Sequence, residues 1–303
     1  MVYFQFIIAM IPSALMIVSP ILIAATGSMI CERSGIVNIA LEGLMTIGAM
    51  TAAVSHVLLE TKTGFSIPLA LFLAAVSGGL FSLIHAFASI TLRADQIISG
   101  TGINLLSNGM TVFVCQLIFR MDRSMNYRMG MRQSLFGIYP TIIIAIVILS
   151  AAWFLLYKRP WGLRLRAAGE HPQALVCAGV KLNKIRFIAV LLSGLLAGLA
   201  GACIVLTQDI QFTVNTVNGK GFIALAAVSF GRRLPLGILG SSFLFGISSS
   251  LAVNIINIKG MQLIPSEVFS MLPFLITLLT LVVFGGKSQK SLSKVITKTY
   301  KRM

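Results

Sequence analysis

The sequence predicts an all-α polytopic membrane protein with about nine to ten transmembrane helices, some of them broken or re-entrant. Three observations carry this. The 303 residues are 57% apolar, with a mean hydropathy of +0.94, more than a water-exposed surface tolerates. Apolar runs recur along nearly the whole chain, each near the roughly 20 helical residues needed to cross about 30 Å of hydrocarbon. Only 11% of residues are charged, and most of the charge falls between runs, leaving no room for a large extramembrane domain.

Taken in order, the runs cover 4–30, 35–59, 65–91, 96–119, 138–157, 187–207, 220–231, 235–257 and 267–285. The first has no basic segment ahead of it and no clear cleavage site, so it reads as a retained span rather than a signal peptide. The run 220–231 is too short to cross as a plain helix. A broken or re-entrant element is expected there, and such backbone is tolerated at depth only where protein buries it or it lines a wet cavity. The stretches Gly35-Ile36-Val37-Asn38-Ile39-Ala40 and Gly221-Phe222-Ile223-Ala224-Leu225-Ala226 echo each other. They run in opposite directions under the topology below, as in an inverted repeat. Residues 1–286 therefore read as one membrane domain, and 287–303 as a basic tail.

The net charge of +16 is concentrated in two places. Residues 158–186 carry seven Lys/Arg against Glu170 alone, and the tail carries Lys287, Lys290, Lys294, Lys298, Lys301 and Arg302 with no acid. Basic loops mark the cytoplasmic side. Placing 158–186 there also puts Arg33, Arg93, Arg232, Arg233 and the C-terminus inside, with the N-terminus outside; a tenth crossing in the N-terminal half would change that last assignment. The segment 120–132, with Arg120, Arg123, Arg128 and Arg132 against Asp122, lands outside, against the usual bias. No aromatic-basic surface accompanies the charge, so a nucleic-acid partner is not expected. Cys31, Cys115, Cys177 and Cys203 form no CxxC pair, which disfavours a disulfide frame or a zinc site. No nucleophile-base set, metal-spaced cluster or GxxxxGK loop is visible, and no catalytic residue is assigned.

Within 160–184, Pro172 suits the first turn of a helix and Gly179 the residue past its end. The helix between them spans about eight residues, or about 12 Å. Glu170 sits where a carboxylate favours a helix N-terminus. A helix this short is not stable alone in water and must dock on something. The bilayer surface is one candidate. The small side chains at Ala174, Ala178 and Gly179 suit a cleft on a partner better.

Polar residues inside apolar runs are the other informative feature. Glu42 is the only acid deep in a span, where an isolated charge costs about 2.5–3.5 kcal/mol on insertion scales. Asn38 lies one helical turn earlier, on the same face. Both belong either to a substrate path or to a packing network in which Glu42 pairs with Arg33 or is protonated. Gln96, Ser99, Asn104 and Asn108 form a second polar stripe. Uncharged amides donate to and accept from a nucleobase or a sugar hydroxyl, and they also hold membrane helices together. Phe222 and Phe230 either stack on such a base or fill a core. Gly194, Gly198 and Gly201 form a small-residue face suited to helix packing.

The run Arg166-Ala-Ala-Gly-Glu-His-Pro-Gln-Ala-Leu-Val-Cys-Ala-Gly-Val180 resembles the coupling-helix motif of permeases in the branched-chain amino acid, ribose and nucleoside group of ABC importers. Glu32-Arg-Ser-Gly-Ile-Val-Asn-Ile-Ala-Leu-Glu-Gly43 is similar to the N-terminal signature of the nucleoside and simple-sugar branch. Asp95-Gln-Ile-Ile-Ser-Gly100 and Gly221-Phe-Ile-Ala-Leu-Ala-Ala-Val-Ser-Phe-Gly231 match further blocks in order. The resemblance covers about residues 32–285; His171 departs from it, where the family often has Asn. It implies a non-enzymatic permease subunit in a bacterial cytoplasmic membrane, carrying nucleosides, purine nucleosides first. Implied partners are a second, different permease subunit, an ATPase subunit that holds ATP and magnesium, and an extracytoplasmic binding lipoprotein. No cofactor is implied on this chain. Arg166, Gly169, Glu170, His171, Pro172, Gln173, Ala174 and Gly179 would couple to the ATPase. Monosaccharide permeases share these motifs and stay open as the alternative. An ion-coupled transporter is disfavoured, because such proteins place several ionisable residues mid-membrane and only Glu42 qualifies.

Overall fold

A computed structural model describes residues 2–128, 130, 131, 139–255, 271 and 275. All regular structure among the described residues is helical: α1 (Val2–Arg33), α2 (Leu41–Leu59), α3 (Ser66–Ala86), α4 (Gln96–Phe119), α5 (Pro140–Lys158), α6 (Pro160–Glu170), α7 (Pro172–Cys177), α8 (Leu182–Gln208), α9 (Lys220–Phe230) and α10 (Pro235–Ile255). A π-helical turn, Phe87–Thr91, prolongs α3. Seven of these helices, α1 to α5, α8 and α10, are long and apolar enough to cross a membrane, and the chain is a multi-pass membrane protein. They match the first six expected runs and the eighth, and the short α9 fills the place of 220–231. The expected span 267–285, apart from Met271 and Leu275, and the tail 287–303 lie outside the described residues.

α8 is the central helix, packed on α1, α2 and α3. Its glycine face makes the approach close. A β-carbon on Gly198 would collide with the Ala74 carbonyl of α3, one on Gly201 with the Met45 carbonyl of α2, and one on Gly194 with Ser82. Backbones at this separation gain van der Waals contact that lipid cannot supply between bulkier helices. Gly48 and Gly78 complete the crossing from the partner helices.

The two ends of the bundle differ. At one end the C-terminus of α1, the pair α6–α7, the start of α8 and the α9–α10 turn meet. At the other, an irregular segment runs beside the end of α8, with backbone N–H groups of Ser124, Tyr127 and Met131 bonded to the carbonyls of Phe212, Ile210 and Leu206 at 3.1, 3.1 and 2.7 Å. The Arg128 N–H there meets the Glu60 carboxylate at 3.0 and 3.1 Å. The basic segment that begins at Arg120 thus stands at the end opposite 158–186, where the charge-based topology puts it.

Candidate functional site

The site grows from a break in the polypeptide. α1 stops at Arg33, Gly35 turns the chain at φ +87°, and residues 34–40 are not helical before α2 begins at Leu41. Glycine is suited to that turn because no β-carbon opposes a positive φ. Asn38 meets Ser193, and a β-carbon on Gly48 would strike Gly198. The break therefore runs inward from the end of the bundle, where Gly35 meets Gly169 of α6, to mid-depth, where Asn38 and the start of α2 lie beside the middle of α8. Backbone groups there need partners, and side chains provide them. Gln96 accepts the Val37 N–H at 2.8 Å. Asn104 accepts the Gly43 N–H at 2.8 Å and donates to the Ile39 carbonyl at 3.1 Å. His85 Nε2 lies 3.2 Å from the Val37 carbonyl and Nδ1 3.0 Å from the Ser99 hydroxyl. A carbonyl only accepts, so Nε2 carries the proton, and in the neutral ring Nδ1 accepts from Ser99. Asn38 donates to the Ser193 hydroxyl at 3.0 Å, while its buried Oδ1 has no protein partner.

This corrects the picture of one open polar stripe on α4. Gln96, Ser99 and Asn104 are committed to holding the break, and of the four only Asn108 is exposed. Asn38 does not share a helical face with Glu42, because residues 36–40 are not helical; it faces α8, while Glu42 faces α9. The echo between 35–40 and 221–226 is likewise not one of local conformation, since the second stretch is helical.

Glu42 caps α9. Its two carboxylate oxygens accept the N–H groups of Gly219 and Gly221, each at 2.7 Å. The first turn of a helix has unpaired N–H groups and a positive dipole end, so a carboxylate there is stabilising. Hydrogen bonds to a charged group contribute about 1.5–3 kcal/mol each. The Arg33 pair that the packing alternative offered does not form; Arg33 reaches Glu170 at 3.5 Å instead. α9, at 11 residues, spans about 16 Å, and its N-terminus starts at the depth of Glu42. It is the short element the sequence required, entered through the irregular residues 209–219.

Past this junction the exposed polar groups gather on one side of α4. At 100° per residue Thr101, Asn108 and Gln116 fall within an arc of about 80°, and all three are exposed. Leu105 and Val112 share that arc, and Gly102 and Gly109 at its edge have open space where a side chain would stand. Leu106, Met110, Phe113 and Leu117 form the adjoining apolar arc. Phe222 of α9 is 47% exposed, whereas Phe230 packs edge-on against Phe245 at 5.6 Å. An open cavity of about 470 Å³ lies against the break, lined by Val37, Ile39, Ala94, Asp95, Gln96 and Ile97. The described residues hold no cluster of three or more His, Cys, Asp or Glu suited to a metal ion.

The coupling segment is two helices. α7 starts at Pro172 and is six residues long, two fewer than expected. It ends in a Schellman pair: Gly179, at φ +76°, donates to Val176 at 2.9 Å and Val180 donates to Leu175 at 3.3 Å. Leu175 is its buried anchor, and Gln173, Ala174, Val176, Cys177 and Ala178 are exposed. Glu170 closes α6 rather than capping α7, and it is 63% exposed, so its pair with Arg33 contributes little. His171, between the helices, is exposed. Arg166 stacks on Tyr157 at 5.0 Å. Gly169 packs against Arg33 and Gly35. Sequence reasoning missed α6, although Pro160 at its first position marked it. It also missed His85, Ser193, Arg186 and Arg233, which carry no motif.

Comparison with known proteins fits this geometry. The family model described as "Branched-chain amino acid transport system / permease component" matches residues 10–281. The guanosine ABC transporter permease protein NupQ of Bacillus subtilis is 38% identical over 300 residues, 94% of each chain. The nucleoside ABC transporter permease protein NupC of Lactococcus lactis is 38% identical over 285 residues, 89% of this chain and 90% of its own. A second Bacillus subtilis guanosine permease protein, NupP, is 25% identical over 263 residues, 83% of this chain and 75% of its own. The helical break, the capped α9 and the exposed α7 are therefore features of a membrane permease with no enzymatic activity of its own, and the chain belongs to the branched-chain amino acid transport system permease-component family.

Proposed function

We propose that this chain is a translocating subunit of an ATP-binding-cassette importer for nucleosides, working in a bacterial cytoplasmic membrane with α6, α7 and the C-terminus on the cytoplasmic side. The observation that carries the reading is the state of Glu42. Among the described residues Glu42 is the acid deep within the bundle, and it is spent on the N–H groups of α9 with Lys220 beside it, which leaves uncharged amides and an aromatic ring on the exposed sides of α4 and α9. An ion-coupled carrier needs free ionisable groups at this depth. An uncharged heterocycle with hydroxyls needs amides to bond and a ring to stack on. Similarity to nucleoside permeases along almost the whole chain supports the same cargo, purine nucleosides above all.

In this reading Asn108 and Gln116 of α4 and Phe222 of α9 wall the path, facing a second permease subunit across it. The occurrence of NupQ and NupP in one organism supports a pair of unlike subunits. Asn38, Glu42, Gln96, Ser99 and Asn104 hold the wall in place from behind. An extracytoplasmic lipoprotein delivers the cargo, and ATP with its magnesium ion binds on the ATPase subunit. Arg166, Gly169, Glu170, His171 and Pro172 set α7 so that Gln173, Ala174 and the Gly179 turn enter a cleft on that ATPase. Residues 1–286 form the permease domain and 287–303 a cytoplasmic tail. A cysteine at Gln173 is expected to cross-link to the ATPase in the assembled complex. Failure of every position from 170 to 178 to do so would refute the docking.

A further inference from the structure

We infer that residues 32–42 act as the transmission joint of the molecule, clamping α9 at both ends and receiving α6 at their middle, with Arg186 as the positioning residue that ties α6 to them. The inference rests on the ATP-driven reading above. At the N-terminal end of α9, Glu42 holds the N–H groups of Gly219 and Gly221. At its C-terminal end, Arg233 Nε donates to Glu32 at 2.9 Å, and Arg33 donates to the Arg233 carbonyl at 2.9 and 3.1 Å. The turn that follows α9 holds two consecutive non-glycine residues at positive φ, Arg232 at 52° and Arg233 at 57°. Residues other than glycine adopt this conformation at a cost and keep it only where their surroundings impose it. α9 is thus fixed to one short stretch at both of its ends.

The same stretch meets α6 backbone to backbone. A β-carbon on Gly169 would lie 2.5 Å from the Arg33 carbonyl and 3.0 Å from the Gly35 nitrogen. Arg186, near the start of α8, donates from Nε to the Ser34 carbonyl at 3.2 Å and from Nη2 to the Ala168 carbonyl at 3.3 Å. One guanidinium so serves carbonyls at the C-terminal ends of α1 and α6 together, which its fixed fork of donors allows and a lysine ammonium on a flexible stem does less well. Displacement of α6 and α7 therefore moves residues 34–35, and with them α9 and its exposed Phe222.

The test is the number of cargo molecules moved per ATP by the full complex in proteoliposomes, with guanosine as the probe. R186Q and R233Q are expected to assemble, to keep ATP hydrolysis within about twofold, and to lower the ratio at least about threefold, with R186K between R186Q and wild type. K62Q, at the opposite end of the bundle, is expected to keep the wild-type ratio. An unchanged ratio in R186Q and R233Q, or uptake and hydrolysis falling in proportion, overturns the joint. Should R186Q fail to assemble, R233Q decides, because the Arg233 side chain is 55% exposed. If wild type accumulates ribose in place of guanosine while R186Q still lowers its ratio, the cargo assignment falls and the joint stands. A wild-type complex indifferent to ATP overturns both.

Discussion

Asn104 and Asn108 stand one turn apart on α4 with identical side chains, and the structure gives them different work. Asn104 completes the backbone of the break at Ile39 and Gly43, whereas the Asn108 amide is exposed. Truncating a residue whose partners are then left unsatisfied costs about 1–3 kcal/mol. N104A is therefore expected to lower the thermal midpoint of the purified protein, and N108A to leave it in place while reducing nucleoside uptake. Equal midpoints for the two variants would contradict this division. Residue types were legible from the sequence, and so was their placement on α4. What they bond to was not, because the partners of Asn104 lie some 60 residues away, on backbone that reads as ordinary apolar span.

At the scale of elements, the positions of the seven spans among the described residues followed from hydropathy to within about six or seven residues at each end, since a helix in lipid announces itself by length and composition. The small face of α8 was equally readable, because glycine every third or fourth residue has few other uses in a membrane helix. Residues 34–40 were not readable, as Ile36, Val37 and Ile39 look like any apolar run and only the positive φ at Gly35 ends the helix. Glu42 therefore reads from sequence as an acid deep in a span, on a substrate path or in a packing network with Arg33 as one partner, when the break turns it toward α9. E42A, which leaves the Gly219 and Gly221 N–H groups without an acceptor, is expected to abolish stable assembly. E42Q keeps one of two acceptor oxygens and is expected to lie between E42A and wild type in thermal midpoint. A wild-type midpoint for E42A would show that α9 needs no cap.

Over the whole molecule, the proposed orientation rests on charge, and the basic segment that begins at Arg120 is the exception that packing explains. Its backbone is bonded along the end of α8 and to Glu60, at the end of the bundle away from α7. Cys177 is exposed, while Cys31, Cys115 and Cys203 are buried. An impermeant maleimide is thus expected to label the protein in inside-out vesicles and not in right-side-out ones, at Cys177 alone. Labelling from the outside would invert the topology and remove α7 from reach of any ATPase.

The most direct measurement of the central claim is uptake of labelled guanosine into proteoliposomes holding the complete complex. The account expects accumulation that needs ATP on the α7 side, competition by other purine nucleosides, and none by excess ribose. Accumulation driven by an ion gradient without ATP, or ribose displacing guanosine, would contradict it.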